Sequence, residues 1–99
     1  MFTVRVSLTT TPEGRGTLLE RLSEEASVVP SKYDGCTFYA VSVDATNENH
    51  VLLAEEWTDK AAFEQYQQSD AFKEVLGAIG SCLAAPPDSV YYESTVVGP

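Results

Sequence analysis

The hydrophobic period of this chain changes in a fixed order, and that order admits few folds. Phe2, Val4, Val6 and Leu8 alternate with Thr3, Arg5, Ser7 and Thr9, the repeat of a strand with one apolar face. After Pro12, which suits a first helical turn, Leu18, Leu19, Leu22, Ala26 and Val29 recur at helical spacing. Pro30 is expected to stop that helix and Asp34-Gly35 to turn the chain. Thr37–Val43 then reads as a second strand, Asp44–Asn49 as a polar connection, most simply a hairpin, and His50–Trp57 as a third strand. Thr58 or Asp59 suits the N-cap of a short helix over 59–67. Ser69 suits that of another helix carrying Phe72, Val75, Leu76, Ile79 and Leu83, closed by Pro86-Pro87. Ser89–Val97 reads as a last strand.

The order β-α-β-β-α-β predicts an α+β protein of the ferredoxin-like, split βαβ kind, with helices on one face of an antiparallel sheet. Ninety-nine residues make one domain, 1–99, so any pocket must be carved from the core itself. The second and last strands carry large apolar groups in both phases: Phe38 and Ala40 against Tyr39 and Val41, Val90 and Tyr92 against Tyr91 and Val97. A lone sheet would expose such a face, and exposed apolar patches mark interfaces. A homodimer is therefore expected.

Fifteen acidic residues against six basic ones give a net charge of −9, which repels a phosphate backbone and argues against nucleic acid as a partner. No run approaches the roughly 20 apolar residues of a membrane span, and Met1–Arg5 opens into a strand pattern. The expected location is cytoplasmic. Cys36 and Cys82 lack metal-ligand spacing and read as reduced thiols, Cys36 as a small buried hydrophobe. One histidine, His50, and no Cys/His cluster make a built-in metal site unexpected. Acidic pairs such as Glu24-Glu25 read as solvated helix surface.

The stretch from Glu55 to Lys73 says most about function. A strand ends in Glu55-Glu56-Trp57, and Phe63 and Tyr66 follow on one helical face with Ala62. It resembles the antibiotic biosynthesis monooxygenase family, which carries a Glu-x-Trp strand end, an acidic cap, an Ala/Leu-Phe pair, an aromatic or His, then Ser and Phe. Those positions read here Glu55, Trp57, Asp59, Ala62-Phe63, Tyr66, Ser69 and Phe72. Ser31–Tyr39, with Gly35-Cys36 opening a strand, and Thr11–Arg15 match in the same order. The resemblance implies a dimeric α/β barrel with a pocket between sheet and helices. It also implies oxidation of an electron-rich, polyketide-like aromatic such as an anthrone or hydroquinone by dioxygen, with no metal or flavin as cofactor. In that chemistry the deprotonated substrate is itself the reductant, and the protein binds the ring, removes a proton and stabilises the anion.

The expected catalytic residues are Trp57, Tyr66, Glu55 and His50, and the expected substrate-binding residues Tyr39, Phe63, Phe72 and Tyr92. An aromatic stripe at helical spacing is also what a plain core requires, so each ring carries a purely structural reading beside the functional one. Many family members have His where Tyr66 stands. A tyrosine with an ordinary pKa of about 10 is a poorer base and a better donor. Glu55 shares a strand phase with Trp57, and a partly buried carboxylate can be raised toward a base's working range; an ion pair with Arg5 is its other reading. Haem-degrading relatives carry their haem-ligating His where Leu76 stands, so that activity does not carry over. A non-oxidative cyclase or isomerase, and a small-molecule-binding dimer without turnover, stand as alternatives.

Overall fold

Alternation and helical spacing translate into seven elements in the computed structural model, which describes residues 1–99. They are β1 (Phe2–Thr9), α1 (Arg15–Lys32), β2 (Cys36–Asp44), β3 (Asn47–Trp57), α2 (Lys60–Gln67), α3 (Asp70–Gly80) and β4 (Asp88–Glu93). The strands form one antiparallel sheet in the order β2-β3-β1-β4, so the fold is the expected ferredoxin-like α+β arrangement. No helix is long and apolar enough to cross a membrane.

Strand register brings four residues into line. Tyr39 pairs with Glu55, Glu55 with Val4, and Val4 with Tyr91. Residues directly opposite in antiparallel strands share a face, so these four form one row across the sheet. That row lies on the face covered by helices. Above it, Phe2, Val4, Val29, Cys36, Trp57, Phe63 and Tyr66 make one buried cluster, and Leu8, Leu18, Leu22, Val51, Val75, Ile79 and Cys82 make another. Neighbouring positions face the other way. Phe38 and Tyr92 on that uncovered face are 46% and 43% exposed, far more than a filled core leaves to large rings.

Five boundaries differ from the sequence reading. The first helix runs through Pro30 to Lys32. Proline deletes just its own N–H here, while Tyr33 N–H still donates to the Val29 carbonyl at 2.9 Å. Pro12 sits in the turn before α1, where Thr11 Oγ1 accepts from Gly14 N–H at 3.0 Å. The hairpin is tighter than expected, because Asp44 Oδ1 accepts from both the N–H and the hydroxyl of Thr46 at 2.8 Å. Those bonds lower the Asp44 carboxyl to about 2. The last strand stops at Glu93, not Val97, and Leu83 lies past the end of α3. A ladder extends no further than its partner, and Glu93 pairs with Phe2, the first residue of β1.

Two glycines permit close approaches. A Cβ on Gly14 would stand 2.6 Å from Cys82 Cα, where α1 starts against the end of α3. A Cβ on Gly35 would stand 2.5 Å from Ala62 Cβ, where the turn into β2 meets α2. Gly77, inside α3, has nothing within 4 Å of such a Cβ. Urea unfolding should therefore separate two identical substitutions. Gly35→Ala is expected to destabilise by about 1–3 kcal/mol through overpacking, whereas Gly77→Ala should stabilise by up to about 1 kcal/mol through helix propensity.

Candidate functional site

Between the sheet and the helices lies a cavity of about 270 Å³ lined by 17 residues, 13 of them hydrophobic. Tyr39, Glu55, Phe63, Tyr66, Phe72 and Leu76 are among them, and no Lys, Arg or His is. The row across the sheet supplies the floor. Helix α2 supplies Phe63 and Tyr66 because Asp59 caps it, its Oδ1 accepting from Ala62 N–H at 2.8 Å. Ser69 caps α3 by accepting from Phe72 N–H at 3.2 Å, which fixes the Phe72 ring edge-on to Tyr66 at 5.2 Å between centroids. Both Phe63 and Phe72 line the cavity without filling it.

Two polar groups in this wall are each held from behind. Glu55, 3% exposed, accepts from the Trp57 indole N–H through Oε1 at 2.9 Å. Tyr66 donates its hydroxyl to Glu25 Oε2, also at 2.9 Å, and its ring stacks on Trp57 at 5.4 Å. Glu25 in turn is tied to Arg21, whose guanidinium also reaches Glu24 and Glu74 on the surface.

Burial pushes the Glu55 carboxyl up to about 7; the Trp57 N–H pulls against that rise, and the Glu25 charge adds to it. Burial also drives the Tyr39 and Tyr66 phenols far above their ordinary value, helped by the carboxylates near them. Both therefore stay protonated, and neither serves as a base. Burial raises the Cys36 thiol to about 11, which makes it an unreactive core residue.

The expected site residues divide. Glu55, Tyr66, Tyr39, Phe63 and Phe72 come together around the cavity. Trp57 does not reach its wall: fully buried, it packs behind Glu55 among Tyr33, Phe63 and Tyr66. His50 lies elsewhere, at the hairpin end of β3, with Nδ1 3.1 Å from Asp44 Oδ2. Tyr92 stands on the uncovered face beneath the Arg5 guanidinium, 5.6 Å from its ring centre. Arg5 pairs with Ala54 on that same face, so it is not a partner for Glu55. No group of three His, Cys, Asp or Glu side chains is arranged to hold a metal ion.

Glu25 corrects the reading of Glu24-Glu25 as surface. Glu24 is exposed, but Glu25 is 6% exposed and belongs to the buried stripe Leu18, Leu22, Glu25, Val29. A helical pattern with a carboxylate inside its apolar stripe was the available signal.

Comparison with known proteins places this architecture. The sequence profile of the family described as antibiotic biosynthesis monooxygenase matches residues 1–77, a span that includes Glu25, Tyr39, Glu55 and Tyr66. A Deinococcus radiodurans protein, crystallised as a candidate antibiotic biosynthesis monooxygenase, superposes with a TM-score of 0.90 at 21% identity, over 100% of this chain and 97% of its own. A Caulobacter crescentus protein of the same description gives 0.90 at 21% identity, over 96% and 90%. A conserved Methanosarcina mazei protein gives 0.86 at 24% identity, over 95% and 92%. At such identities the likeness establishes the fold. No curated protein sequence matches.

The raised Glu55 carboxyl couples stability to pH. Its folded value of about 7 exceeds the ordinary 4.5, so the folded state holds the extra proton between those values. Stability from this group is fully present below about pH 4.5 and is lost as pH rises through 7, by about 3 kcal/mol in all. Glu55→Gln should therefore match the wild type in urea at pH 4 and exceed it at pH 8. Equal stability of the two proteins at pH 8 would mean that the carboxyl ionises without penalty.

Proposed function

The chain belongs to the antibiotic biosynthesis monooxygenase family, and from that premise we propose that it oxidises an anthrone- or hydroquinone-like aromatic with dioxygen, using Glu55 as general base. The observation that carries this reading is a buried carboxyl at about pKa 7 facing an apolar, aromatic-walled cavity. A base whose pKa lies near the operating pH combines a populated basic form with useful proton affinity. In the proposed reaction Glu55 takes a proton from an activated ring methylene, and the resulting anion gives electrons to dioxygen as a carbon–oxygen bond forms. Glu55 returns the proton to the peroxide. Cleavage of the oxygen–oxygen bond then leaves a carbonyl on the ring, with the second oxygen atom and both methylene hydrogens departing as water. Phe63, Phe72 and Tyr39 would hold the ring, and Tyr66 would orient its oxygen substituent.

We also propose that the protein works as a homodimer closed across the uncovered sheet face. Phe38 and Tyr92 there are large rings left in solvent, and a standard interface would bury roughly 1,600 Å² in total. Light scattering on the eluted protein at micromolar concentration should give twice the chain mass of 10.8 kDa. A single-chain mass would refute this pairing.

Turnover of an anthrone should consume oxygen, with kcat/KM rising as pH increases through about 7. Glu55→Gln is expected to lose about 10²–10⁴-fold. Trp57→Phe deletes the N–H that holds the Glu55 pKa down, so its pH midpoint should move upward. An unmoved midpoint would take Glu55 out of the base role. Turnover that persists without oxygen would instead indicate a cyclase or isomerase built on the same carboxyl.

A further inference from the structure

Tyr66 has one hydroxyl proton, and it is committed. It is donated to Glu25 Oε2 at 2.9 Å in a buried bond from α2 to α1. The other carboxylate oxygen, Oε1, accepts from Arg21 at 3.1 Å. With its proton so held, the Tyr66 oxygen has lone pairs alone to offer the cavity. Glu55 is in a similar position once it is ionised, above about pH 7: Oε1 accepts from Trp57, and Oε2 is the oxygen left for a ligand. The Tyr39 hydroxyl stands beside Tyr66. With the Tyr66 proton committed to Glu25, a bond between the two phenols has Tyr39 as donor and leaves Tyr39 with lone pairs toward the cavity as well. Gln67 and Ser89 are exposed side chains. No cation lines the wall.

We propose that Glu25 is a positioning residue that determines specificity. By accepting the Tyr66 hydroxyl's hydrogen bond it makes the inner wall a hydrogen-bond acceptor, which selects uncharged aromatics carrying a hydroxyl donor and rejects their methyl ethers and carboxylates. Carboxylates are rejected above about pH 7 because the ionised Glu55 in the wall faces them with no lining cation to offset the repulsion. The cavity is nearly twice the roughly 150 Å³ that encloses a benzene, so a two-ring hydroxyarene is a suitable probe. This inference rests on the cavity being the substrate site and does not depend on oxidation.

Arg21 makes the inference testable. Arginine only donates hydrogen bonds, so in Glu25→Gln the amide oxygen turns to Arg21 and the NH₂ group faces Tyr66. Tyr66 must then accept, and its own proton turns toward the cavity. Calorimetric titration of the wild type at pH 8, where Glu55 is ionised, should show naphthol binding about tenfold or more tighter than methoxynaphthalene, with naphthoate not bound. In Glu25→Gln the preference for naphthol over its methyl ether should shrink to parity or reverse. In Tyr66→Phe it should largely vanish, and that variant decides the matter if Glu25→Gln does not fold, with circular dichroism and melting temperature checking both. A wild type without the preference overturns the proposal, whether it binds both probes alike or neither. So does naphthoate binding as tight as naphthol, or the full preference retained in a folded Glu25→Gln or Tyr66→Phe. Oxygen uptake with an anthrone, measured separately, reports on the oxidation: selectivity without uptake would retire the monooxygenase reaction and leave the acceptor wall standing.

Discussion

The hydrogen bond from the Trp57 indole to Glu55 joins the packing of the core to the raised carboxyl in the cavity wall. Trp57 is wholly buried and touches Phe63, Tyr66 and Tyr33, so its position is set by packing. Glu55 stands two residues earlier on the same strand face and is held by that packed ring. A buried carboxyl without a donor would be expensive to keep. One N–H is enough to hold it in place without lowering it to an ordinary carboxylate, and the outcome is a group raised to about 7.

Helix α1 contributes the second half of the arrangement. Its stripe of Leu18, Leu22 and Val29 is what pins it to the sheet, and Glu25 is carried into the interior by the same stripe. There it meets Tyr66 from α2, 41 positions along the chain. The bond links two helices that share little direct packing, and Arg21 neutralises the charge from the solvent side. Because Glu25 raises Glu55 electrostatically while fixing Tyr66 by contact, one acid behind the wall influences both polar groups in it.

Close backbone approaches decide how tightly the helices sit on the sheet. Gly35 lets the turn into β2 touch Ala62, and Gly14 lets α1 begin against Cys82. Side chains at either point would push α2 or α1 outward, and the cavity walls formed by Phe63 and Tyr66 would move with them. The volume of the cavity is therefore tied to two residues that do not line it.

Much of this was legible in the sequence. Alternation gave the strands, helical spacing the helices, and the order of the two gave the sheet, because local periodicity reports which face of an element is apolar. Asp59 and Ser69 were readable as caps for the same reason: the groups they satisfy lie three residues away. That Glu55 and Trp57 share a face followed from the strand repeat alone. Periodicity does not say what stands opposite a face, and there the tertiary structure decided. It put Trp57 behind Glu55 instead of in the cavity, turned Tyr92 to the uncovered side, and left His50 at the distant hairpin. It also paired Glu25 with Tyr66, a contact between elements far apart in the chain whose geometry depends on how three layers of side chains pack, which no local repeat encodes.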